Sequence, residues 1–126
     1  MTRFDVSGAS VAMTTTDRLE ELLMYLVRDI MYCKPGKVRA MVEKFTALSK
    51  LSAKVGMPTM RVMTDFCAEQ YWTVVSEMEV PDLAAFEAMM RSPTGTPEDM
   101  KQMETIMQGY HDLVDRGKRE IYKIEG

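Results

Sequence analysis

Glu77 and Glu79 are the residues whose spacing most readily suggests chemistry. Two positions apart in an extended segment, their side chains share one face, about 7 Å apart. Carboxylates so placed raise each other's pKa and can serve as acid and base. The competing reading is structural: with Arg28 and Arg61 on the same surface, they form an ion-pair network inside an interface. His111 is the only histidine. It reads as a partly exposed helix histidine beside Asp112 and Asp115. One histidine and two distant cysteines do not assemble a zinc site, so no metal is expected. A nucleophilic Cys–His pair would need Cys33 or Cys67 within reach of His111; buried structural thiols are the alternative. Tyr32, Met63, Tyr71 and Trp72 are candidates to line a site for a flat ligand, where core packing is the other explanation. No glycine-rich phosphate loop and no nucleophile elbow is present.

The whole chain bounds these options. Its 126 residues suit one domain, and 46% hydrophobic with 28% charged residues is ordinary for a globular protein. The net charge is −3 with both signs interspersed, which offers no basic stripe for phosphates and argues against nucleic acid. No apolar run reaches membrane-spanning length, and the start lacks a signal-peptide core. A cytoplasmic protein with reduced thiols is the expectation. The 14 methionines suggest a soft core or a Met-lined cavity.

The elements that must position these residues centre on Thr59–Val80. β-Branched and aromatic residues there predict two strands, Met60–Cys67 and Tyr71–Val80, joined at Ala68–Gln70. Residues 1–20 read as a tail, with a short lead-in near Asp17–Leu22, and residues 21–126 as the domain. Leu19–Cys33 has helical spacing, but its strand formers and the Lys34-Pro35-Gly36 stop favour a strand at Met24–Cys33. Lys37–Val55 is an amphipathic helix ended by Gly56. Asp82 caps a helix over Leu83–Arg91, and Thr96 caps another whose stripe runs Met100, Met103, Met107, Tyr110, Val114 to a stop at Gly117. Arg119–Glu125 alternates as a last strand.

This order, β-α-β-β-α-β, is the α+β ferredoxin-like arrangement: a four-stranded antiparallel sheet with helices on one face. With Trp72, Val74, Ser76 and Met78 toward the helices, Tyr71, Thr73, Val75, Glu77 and Glu79 point outward. Arg28, Ile30, Tyr32, Arg61, Met63 and Asp65 join them. That surface is too apolar for bulk water, which predicts a homodimer through the sheet face.

The segments MYLVRDIMYCKPGKVRAMVEKF, MRVMTDFCAEQYWTVVSEMEVPDLAAFEAMM and DLVDRGKREIYKIEG resemble the opening strand and helix, the hairpin, and the closing strand of the dimeric α+β barrel superfamily. NIPSNAP-type and antibiotic-biosynthesis-monooxygenase-like small bacterial proteins look nearest. The resemblance covers roughly residues 24–125, and it also favours the strand at Met24–Cys33. It implies a dimer whose sheets enclose a cavity, and a choice of roles. The first is binding of a small apolar or aromatic molecule in a cavity between sheet and helices, with no cofactor. The others are a cofactor-independent monooxygenase acting on a phenol or quinol, and a haem protein using His111. Fold alone does not choose among them.

Overall fold

The computed structural model describes residues 24–92 and 95–126. The expected tail and the lead-in near Asp17–Leu22 lie outside the described residues. Strand β1 runs Met24–Cys33, helix α1 Val38–Lys54, β2 Met60–Thr64 and β3 Thr73–Val80. Helix α2 (Leu83–Arg91), helix α3 (Pro97–Met107), a 3-10 turn at Tyr110–Asp112 and β4 (Val114–Ile124) follow. The sheet order is β2-β3-β1-β4 with every pairing antiparallel, which is the ferredoxin-like arrangement.

β1 is a strand despite its helical spacing because both flanks are paired. Val27 stands opposite Met78 on β3 and Ile121 on β4. Alternation then sorts its side chains. Val27, Met31 and Cys33 face the helices, packed with Val80 and Phe86 at one end and with Met41, Phe45 and Val74 at the other. Met41 and Val74 are fully buried. The expected parity of β3 holds for Val74, Ser76 and Met78, but Trp72, expected inward with them, lies outside the strand and is exposed. Helix α1 lays Met41, Phe45 and Ser52 along one stripe, and Gly56 ends it at φ 84°. Lys44 Nζ donates to the carbonyls of Ile106 and Gln108 at 3.0 and 2.7 Å, placing a cation at the end of α3. At the start of α3, Thr96 and Asp99 form a reciprocal capping box.

Two further expectations are corrected. The central strands are shorter than drawn, because Asp65 diverts the backbone. Its carboxylate accepts the Thr73 N–H at 2.9 Å, Thr73 Oγ donates to the Gln70 carbonyl at 2.8 Å, and Trp72 sits at φ 64°. Residues 65–72 therefore form a loop, pinned where Cys33 N–H donates to the Trp72 carbonyl at 2.8 Å. The second correction is at the C-terminal end. Helix α3 stops at Met107, Gly109 supplies the left-handed turn, and the last strand begins at Val114. Gly117 is not a helix stop but an interior strand residue opposite Met31; a Cβ there would lie 2.6 Å from Met31 Sδ.

Candidate functional site on the open sheet face

The face of the sheet turned away from the helices carries a shallow concavity of about 330 Å³. β1 contributes Arg28, Ile30 and Tyr32, β2 Met63, β3 Thr73, Val75 and Glu77, and β4 Lys118. Ala68, Glu69 and Gln70 of the 65–72 loop close one side. This concavity lies on the open face and not between sheet and helices, where Met41, Phe45 and Val74 pack as a buried cluster.

At its floor is a charge cluster. Glu77 is 8% exposed and stands opposite Arg28 on one flank and Arg61 on the other. Arg28 Nε donates to its Oε2 at 2.7 Å and Arg61 Nη2 to its Oε1 at 2.7 Å. The hydrogen bond from Arg61 pulls the Glu77 carboxyl below its ordinary value; burial opposes this, and Arg28 adds to the lowering. Glu77 is therefore a fixed anion with both oxygens engaged, not a general base with a raised pKa. Glu79 shares its parity but is exposed, and borders a neighbouring concavity with Leu26 and Arg61.

β4 supplies a polar side that sequence reasoning missed: Lys118 lines this concavity, and Arg116 lines the neighbouring one that His111 borders. Its pairing puts Lys118 opposite Ile30 and Arg116 opposite Tyr32. The Arg116 guanidinium lies 4.4 Å from the centre of the Tyr32 ring. The Lys118 pKa is raised above its usual value, first by the charge Tyr32 takes on when it ionises and then by Glu120 at 3.4 Å; the Tyr32 oxygen also lies within its hydrogen-bonding reach. The signal for Lys118 was the alternation that continues back from Arg119, hidden when Gly117 is read as a helix end.

Of the four candidate ligand residues, Tyr32 and Met63 line the concavity. Tyr71 and Trp72 do not; they project from the loop, as does the fully exposed Phe66. His111 is exposed in the 3-10 turn, its ring 4.0 Å from that of Tyr110, beside Asp115 and Gly117. That position borders a second concavity with Asp29 and Met31, which face the helices, so His111 and Glu77 do not meet. Among the described residues no group of three His, Cys, Asp or Glu side chains could hold a metal ion. Cys33 is buried, and burial, followed by Asp115 and Asp65, raises its thiol pKa. Cys67 is exposed on the loop, and neither thiol contacts His111 among the described residues. No described helix is long and apolar enough to cross a membrane.

No family model matches the chain, and no curated protein matches it. Solved structures do. An uncharacterised NIPSNAP domain protein from Burkholderia xenovorans superposes with a TM-score of 0.63 at 10% identity, over 81% of this chain and 94% of its own. A dimeric protein of unknown function and ferredoxin-like fold from Bacteroides fragilis gives 0.58 at 11% identity, over 80% and 96%. A candidate antibiotic biosynthesis monooxygenase from Nitrosomonas europaea gives 0.57 at 13% identity, over 82% and 89%. What such likenesses establish is the fold: this chain has the ferredoxin-like architecture also found in NIPSNAP-domain and monooxygenase-like proteins.

Proposed function

We propose that this chain is a cytoplasmic small-molecule-binding protein that works as a homodimer, two copies covering each other's open sheet faces. The observation that carries this reading is the concavity itself. Ile30, Met63 and Val75 give it an apolar middle between Lys118 on one side and Glu69 on the other, its floor is a self-satisfied ion cluster, and it lies open on a face with no cover among the described residues. Tyr122 extends that face, nearly half exposed. A second copy removes this surface from water and turns an open dish into an enclosed site. The dimeric solved structure of the same fold supports the pairing. A monooxygenase role would have to find its base outside Glu77, so binding is the reading preferred.

Native mass spectrometry of the full chain tests this. The expected species is a dimer at low micromolar concentration, converted to monomer by Val75→Arg, which places a charge on the covered face. Titration with the neutral probe 2-naphthalenemethanol should show binding that Met63→Trp weakens about tenfold by filling the concavity. A wild-type protein that stays monomeric, or a probe that Met63→Trp does not affect, removes the reading.

A further inference from the structure

We infer that the concavity takes a small aromatic acid: a planar apolar body bearing one negative charge, carboxylate or phenolate, seated against Lys118 and the Tyr32 hydroxyl. The inference rests on the binding role proposed above and adds the sign of the ligand's charge and its seat.

The floor carboxylate is already spent. Glu77 gives one oxygen to Arg61 and the other to Arg28, which leaves it little to offer a cationic ligand. The β4 side, by contrast, has cations short of anions. Arg116 meets the ring of Tyr32 and, among the described residues, no carboxylate. Among the described residues Glu120 serves three partners: it accepts from the Tyr122 hydroxyl at 2.9 Å and pairs with Lys118 at 3.4 Å and Arg28 at 4.0 Å. Tyr32 supplies the remaining piece. It is 8% exposed and lies beside the Lys118 ammonium, yet its hydroxyl hydrogen finds no acceptor among the described residues. Buried hydroxyls are normally satisfied, so a donor left over on a cavity wall marks where an acceptor belongs. An anion there accepts from the phenol and the ammonium together, while its aromatic body lies on Ile30, Met63 and Val75. Glu69 lines the loop side and meets no cation among the described residues, so it repels such a ligand and keeps the charged end at the β4 side.

The test compares 2-naphthoate with its neutral isostere 2-naphthalenemethanol by calorimetric titration of the full chain at pH 8, where the acid is ionised. Naphthoate should bind about tenfold more tightly, the worth of one charge-assisted hydrogen bond. Lys118→Met should lower naphthoate affinity about tenfold, and Glu69→Gln should raise it about threefold. Alcohol binding as tight as naphthoate would overturn the charge assignment and leave the binding role standing. An unaltered preference in Lys118→Met would overturn the seat. If neither compound binds, the binding role and this inference fall together.

Discussion

Arg28 and Glu77 face each other across β1 and β3, joined at 2.7 Å, and Arg61 closes on the same carboxylate from β2 at 2.7 Å. One side chain thus ties three neighbouring strands in a single register. A one-residue slip of either neighbour would turn its arginine to the helix side.

Glu77→Gln should therefore destabilise the fold by about 2 kcal/mol at pH 7, read from urea unfolding. The figure is held down because Arg61 is 70% exposed and Arg28 about a third exposed, where solvent screens the pair. Acid pH gives a second check. Glu77 is shifted below its ordinary value of 4.5, so its contribution is complete above 4.5 and is lost as pH falls through the folded-state value. Wild type should lose stability on acidification faster than Glu77→Gln, and the two curves should converge.

Gly117→Ala should cost about 1–3 kcal/mol by overpacking. The new Cβ would meet Met31 Sδ at 2.6 Å and the Ile30 carbonyl at 3.1 Å. The sulfur is the end of a flexible side chain, whereas the carbonyl belongs to the β1 backbone and has less room to yield. Adding Met31→Ala should recover part of the loss, so the double-mutant cycle should be non-additive.

The methionines should divide by location. Met41 is 0% exposed at the centre of the core, and Met90 is 48% exposed on α2. Met41→Ala should cost about 2–5 kcal/mol, and Met90→Ala less than about 0.5 kcal/mol, by chemical denaturation.

The fold was legible because its local signals agree with its contacts. Lys34-Pro35-Gly36 ends β1 where a strand should end, and Val38, Met41 and Phe45 mark the buried stripe of α1. The misread places are those where one side chain overrides a pattern. Asp65 captures the Thr73 amide and shortens a hairpin that composition alone would extend. Gly117 resembles a helix stop in sequence, and only the proximity of Met31 reveals why a strand needs glycine there. That error hid Lys118 and Arg116, and with them the cationic β4 side. The open-face set of Arg28, Ile30, Tyr32, Met63, Val75 and Glu77 was legible from alternation. The two arginines that fix the charge of Glu77 were named as its neighbours, but their bonds depend on strand register, which no local pattern reports.

β1 lies inside the sheet, yet one of its neighbours is β4, and the Arg119–Asp29 contact joins residues 90 positions apart. Pairings of that separation are slow to close, because chain entropy must be surrendered before the distant strand gives anything back. Until residues 114–124 dock, β1 offers a bare edge to any other unfinished copy nearby. Recovery from denaturant should therefore improve on dilution, with the losses at high concentration appearing as strand-exchanged aggregates.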